Sequence, residues 1–159
     1  MAVHKLNFDD AFNEVFYTLI AMHCTIEDYR LAYLLNKHLG ITLKRKPDDL
    51  DYNNGLVSYS IYEWQNNKQL ITWNLVSNIC KTQTTQKTDT KSLFNTTQTK
   101  TFYLLPEYKT VNYFLKIDTE FCSSEEKNMI NTIMSIPQII TAYSINTNQL
   151  QSKENLIFS

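Results

Sequence analysis

The sequence predicts an α+β domain: an antiparallel sheet with two helices on one face. Three observations predict it. Some segments alternate apolar and polar residues with the period of a strand. Others carry apolar residues at helical spacing. The front and back of the chain also repeat one order: strand, cysteine, hydroxyl residue, helix, strand. Two β-α-β units around one antiparallel sheet make a ferredoxin-like plan, here with a β-hairpin inserted between the halves.

Each element has its own signal. Val15 to His23 is apolar on both faces, as a central strand must be. Thr25 can cap a helix, and Glu27 and Asp28 in its first turn suit the dipole. Ala32, Leu35 and Leu39 form the buried stripe of that helix, and Gly40 ends it. Ile41 to Arg45 begins a second strand, which Pro47-Asp48-Asp49 breaks. Asn53-Asn54-Gly55 is a turn. Val57 to Trp64 and Leu70 to Ile79 alternate around Asn66-Asn67 and predict a hairpin, with Ile71, Trp73, Leu75 and Ile79 inward and Asn74 and Asn78 outward.

Lys81 to Lys100 breaks the pattern. Eight of its twenty residues are Thr and four are Lys, and Leu93-Phe94 is its only apolar pair. It buries too little to order itself, so it predicts a mobile loop or a long exposed hairpin tip. Thr101 to Leu105 and Val111 to Asp118 predict a second hairpin around Pro106-Glu107-Tyr108-Lys109-Thr110. Ser123-Ser124-Glu125-Glu126 has capping-box spacing. Met129, Ile130, Ile133 and Ile136 give the second helical stripe, which Pro137 ends. Ile139 to Ile145 is a last strand. The reading is one domain over residues 1–146, with 147–159 a polar tail that frays.

Composition narrows the function. A formal net charge of -1 gives no field for attracting nucleic acid or anionic membrane. Arg30 and Arg45 are the only arginines, although arginine is the preferred reader of phosphates and bases. Gly40 and Gly55 are the only glycines, so no Walker loop or dinucleotide fingerprint exists. Cys24, Cys80 and Cys122 lie far apart, without zinc spacing, and read as reduced thiols. His4, His23 and His38 form no ligand pair. Asp48, Asp49 and Asp51 read as a solvated turn rather than a calcium loop. No metal and no cofactor is expected. Met1 to Glu14 carries acidic residues where a signal peptide needs an apolar core, and Val15 to Met22 falls short of the roughly 20 residues that span a bilayer. A cytoplasmic chain without a membrane partner is expected.

Three candidate sites remain. Cys24 precedes a helix start, where a thiol pKa can fall, but a core-lining thiol is the better reading. Lys44-Arg45-Lys46 with Lys81, Lys87, Lys91, Lys100 and Phe94 could hold single-stranded RNA, although a Lys-rich soluble loop explains them as well. The 105–113 segment is the third. Pro106 ends a strand. Asn112 can bond neighbouring backbone N–H groups and lock the hairpin. Glu107 and Tyr108 are then the residues freest to reach outward, with Tyr113 on the return strand.

Leu105-Pro106-Glu107-x-x-x-Val111-Asn112-Tyr113 resembles the signature of the IPExxxVDY family, bacterial proteins of about this length. His4-Lys5-Leu6, Glu27 to Ala32 and Leu35-Asn36-Lys37 are similar to it too. Leu105 stands where the motif has Ile, and Asn112 where it has Asp. An Asn accepts hydrogen bonds without titrating, which favours a structural lock over catalysis. The leading expectation is therefore a non-enzymatic interaction or regulatory module that binds a protein partner or a small ligand through Glu107, Tyr108, Asn112 and Tyr113. A homodimer would cover the sheet face opposite the helices. An RNA-associated accessory protein is the disfavoured alternative. An enzyme with a dispersed site, using Glu107, Asp118 and a histidine, is the third.

Overall fold

The apolar run Thr18–Cys24 forms strand β1, in which Leu19, Ile20, Ala21 and Met22 are fully buried. The computed structural model describes residues 16–85 and 97–158. After β1 come α1 (Asp28–Leu39), β2 (Lys44–Arg45), β3 (Leu50–Tyr52), β4 (Val57–Tyr59), β5 (Ile61–Asn66) and β6 (Ile71–Ser77). Then follow β7 (Ile79–Thr85), β8 (Thr97–Tyr103), β9 (Tyr113–Ile117), α2 (Ser123–Met134) and β10 (Ile139–Ser144). The main sheet runs β10-β1-β9-β6-β5-β2, with every neighbouring pair antiparallel. β9-α2-β10 is a split β-α-β unit with β1 between its strands. β1, α1 and β6 form the other, interleaved through β9. The architecture is α+β.

Both helices cover one face. Leu31, Ala32 and Leu35 of α1 and Ile133 of α2 join Ile20, Met22, Trp73, Leu75, Leu115 and Ile117 in one core. Each large aliphatic side chain there contributes about 1.5–3 kcal/mol by burial. The helix starts differ from the sequence expectation. Glu27 rather than Thr25 is the N-cap of α1, and Cys122 precedes α2 where a capping box would need Ser; neither cap makes a side-chain bond. The packed faces fix these helices, not the caps. Gly40 does end α1, at φ 66°. Asn36 then clamps the exit, accepting from Leu43 N at 2.7 Å and donating to its carbonyl at 3.1 Å.

The opposite face overturns an expectation. It is not open: β3–β4, residues 104–111 and residues 145–158 form a second layer over it. Val57, Tyr59, Leu104, Leu105, Val111, Ile145, Leu150 and Leu156 pack there on Leu19, Ala21, Val76 and Phe114. Residues 147–158, expected as a polar tail, pack into this layer through Leu150 and Leu156. The need for a homodimer to cover this face disappears.

Three further corrections follow from strand partners. The 57–64 strand breaks at Ser60, so that β4 pairs with β3 and only β5 pairs with β6. Asn74 and Asn78, expected outward, are 3% and 0% exposed: residues 104–111 lie over Asn78, and Asn74 donates to the Tyr62 carbonyl and to Glu63. β8 pairs with β7, whereas β9 pairs with β1 and β6, so 105–113 joins two sheets and is no hairpin turn. Residues 81–85 and 97–100 of the Thr-rich segment stand in the β7–β8 ladder, which β-branched Thr favours. Residues 86–96 lie outside the described residues.

Candidate functional site

Residues 105–113 are assembled around a side chain that the motif does not contain. Leu105 and Val111 are fully buried and anchor both ends. Pro106 opens a single 3₁₀ turn, Pro106–Tyr108, where its fixed φ fits and its missing N–H is no loss. The backbone groups left over need partners. Asn78 supplies them. Its Nδ2 donates to the carbonyls of Tyr108 and Val111, each at 2.8 Å, and its Oδ1 accepts from Leu105 N at 2.9 Å. Its backbone adds bonds to Leu104 N and Asn112 O, both 2.9 Å.

The four candidate binding residues, Glu107, Tyr108, Asn112 and Tyr113, all have partners within the chain. Asn112 Oδ1 accepts from Cys24 N at 3.1 Å, so it locks the end of β1 rather than a hairpin turn. Tyr113 donates its hydroxyl to Ile26 O at 2.8 Å, tying β9 to the entry of α1. Tyr108 stacks edge-on against Phe114 at 6.4 Å. Glu107 is not free to reach outward: it accepts from Gln151 N, Ser152 N and Ser152 Oγ at 3.3, 3.1 and 3.0 Å, and so holds the C-terminal segment down. Partial burial pushes the Glu107 carboxyl up. Hydrogen bonds from its own backbone, from Ser152 and from Gln151 outweigh that and hold its pKa below the ordinary 4.5.

A pH test follows. A depressed folded pKa stabilises fully above the unfolded value, and the contribution is lost as pH falls through the folded pKa. Glu107→Gln should therefore be less stable than the parent at neutral pH, by under about 1 kcal/mol because the pair is exposed. Urea midpoints of the two proteins should converge as pH falls below 4.5. A gap independent of pH would assign the effect to shape instead of charge.

The other candidates are dispersed. Burial pushes the Cys24 thiol up to about 11, against a hydrogen bond from Ile26, in keeping with a core-lining cysteine. In the ladder Lys81 faces Thr101 and Lys100 faces Thr82, so these two lysines point to opposite sides of the ribbon. Lys87, Lys91 and Phe94 lie outside the described residues. Arg45 pairs with Asp28 and Asp49 over the Tyr62 ring, and Lys46 reaches Glu63 at 3.4 Å. Only Lys44 of that triplet has no ion pair among the described residues. Glu107, Asp118 and His23 engage Ser152, Lys116 and Tyr143 respectively, and no group of three His, Cys, Asp or Glu that could hold a metal occurs among the described residues. No helix among the described residues is long and apolar enough to cross a membrane.

Two surface features stand out instead. One is a corner where His23 Nε2 meets the Tyr143 hydroxyl at 3.1 Å, with Tyr108 close enough to join burial in raising the Tyr143 pKa. The other is a recess at the end of the sheet, where Lys116 lies on β9, 9% exposed. Its ammonium stands 5.1 Å from the Tyr17 ring centre, 5.2 Å from that of Phe158 and 3.2 Å from Asp118 Oδ1.

No family model, curated protein or solved structure matches this chain. Geometry alone therefore carries the functional reading. Sequence reasoning missed Asn78 and Lys116. The one signal was a lysine inside the strand run Phe114-Leu115-Lys116-Ile117, which a half-solvated face explains equally well.

Proposed function

We propose that the protein is a non-enzymatic interaction module of the IPExxxVDY kind that takes a partner strand on the β10 edge, and that the partner is a second copy of the chain. One observation carries the reading. Ile139–Ser144 contains no charge, proline or glycine, and its outer edge is unpaired among the described residues. Proteins normally blunt such an edge with charge, proline or brevity. The opposite edge does so: β2 is two residues long and consists of Lys44 and Arg45. On β10 a register shift turns Ile140 out, 72% exposed, and Tyr143 is 37% exposed beside His23. An uncharged edge meets its own symmetry mate without repulsion, and antiparallel pairing of two such strands is closed and self-complementary.

Sedimentation velocity at high micromolar concentration tests this. The parent should sediment as a dimer. Ile140→Lys with Tyr143→Lys, which puts like charges across the dyad, should sediment as a monomer with an unchanged circular-dichroism spectrum. A monomeric parent, or a dimer that ignores both lysines, would remove the proposal.

A further inference from the structure

The recess around Lys116 is a separate feature, lined by none of residues 105–113 or of β10. It is a half-open recess of about 630 Å³ between β9 and the C-terminal segment, within the size range of small-molecule sites. Three aromatic rings line it, Phe16, Tyr17 and Phe158, and its buried charge is the Lys116 ammonium. Packing holds that ammonium in place: β9 fixes the backbone, and the Tyr17 and Phe158 rings bracket Nζ at 5.1 and 5.2 Å. Of its three N–H groups one meets Asp118, at 3.2 Å. Asp118 is itself 39% exposed at its side chain, an anion that water already competes for. A carboxylate seated on this shielded cation is attracted more strongly than on a surface lysine, an attraction offset in part by the loss of its own hydration, so the apolar body must supply the rest of the affinity.

We propose that this recess binds a small monocarboxylate with an apolar, preferably aromatic, body. The carboxylate takes the Asp118 position on Lys116 Nζ, and the body lies against the rings and Ile157. The mouth decides the charge of the ligand. Glu120 and Glu154, both exposed, stand there with Lys153 and offset its attraction. A single negative charge seated on Lys116 is tolerated, whereas a dianion or polyanion is repelled by Glu120, Glu154 and Asp118 together. The Tyr17 hydroxyl is sealed from water and has no partner among the described residues, so the ring of Tyr17, not its oxygen, faces the ligand.

Phenylacetate is the probe, with phenyl phosphate as the dianion and phenethylamine as the cation on the same ring. Proton–nitrogen correlation spectra of the protein should show saturable shifts with phenylacetate, confined to residues near 16–17, 116–120, 147–148 and 153–158. Lys116→Met keeps the stem and removes the charge; it should weaken binding by at least about tenfold with the rest of the spectrum preserved. Asp118→Asn removes the resident competitor and should tighten binding several-fold. Absence of saturable shifts, equal response to phenyl phosphate or phenethylamine, or indifference to both substitutions would overturn the proposal.

Discussion

Replacing Asn78 by Ala should destabilise the protein by roughly 3–5 kcal/mol, the largest effect expected of any single polar substitution here. Three hydrogen bonds of 2.8–2.9 Å end on this side chain, which is 0% exposed. Truncation leaves Leu105 N and the Val111 carbonyl without partners, and leaves the Tyr108 carbonyl with its bond from Val111 N at 3.1 Å alone. Each loss forfeits the bond, and the first two add the penalty of a dry, unpaired group. Asn78→Asp separates hydrogen bonding from volume. It keeps an acceptor for Leu105 N but sets carboxylate oxygens against two carbonyls, so it should be at least as harmful as Ala at neutral pH. Urea unfolding followed by circular dichroism measures both. A loss under about 1 kcal/mol for Ala would mean that water enters and the segment holds itself.

Leu156→Ala should remove roughly 2–5 kcal/mol, the usual effect of emptying a closed core position. Leu156 is 1% exposed, and its segment is tied down at several points. Asn155 Nδ2 donates to Leu104 O at 2.8 Å, Tyr52 donates to Asn155 O at 3.2 Å, and Glu107 holds Ser152. A fraying tail would give a change within about 0.5 kcal/mol, as surface substitutions do. The same urea titration therefore decides whether residues 150–158 are a structural layer. Ile157→Ala is the control: its side chain is 75% exposed on the same segment and should stay within that small range.

These two residues show where sequence reasoning reached and where it stopped. The helical stripes of Leu31, Ala32, Leu35 and Ile133 could be read from spacing, because one helix packs one face whatever its neighbours are. The continuous apolar run of β1 likewise marked a strand buried on both sides. Asn78 could not be found this way. An Asn at the polar position of an alternating strand is ordinary, and only the arrival of residues 104–111 above it makes it buried and indispensable. The motif itself shows the same limit. Its strand-turn-strand look suggested a hairpin, but Thr97–Tyr103 and Tyr113–Ile117 each found a better partner elsewhere. Lys116 became a shielded cation only when Phe158 came to rest over it.

By itself the sequence determined the α+β class, the two helices on one face, the central strand and the turn at Gly40. Those features follow from periodicity and from local backbone preference, which act over a few residues. Tertiary structure alone decided the second layer, the roles of Asn78 and Glu107, the unguarded β10 edge and the enclosure of Lys116. Each of these depends on contacts between residues some thirty to more than a hundred positions apart. Single apolar residues such as Leu150 and Leu156, spaced among polar ones, carry no period that announces where they will pack.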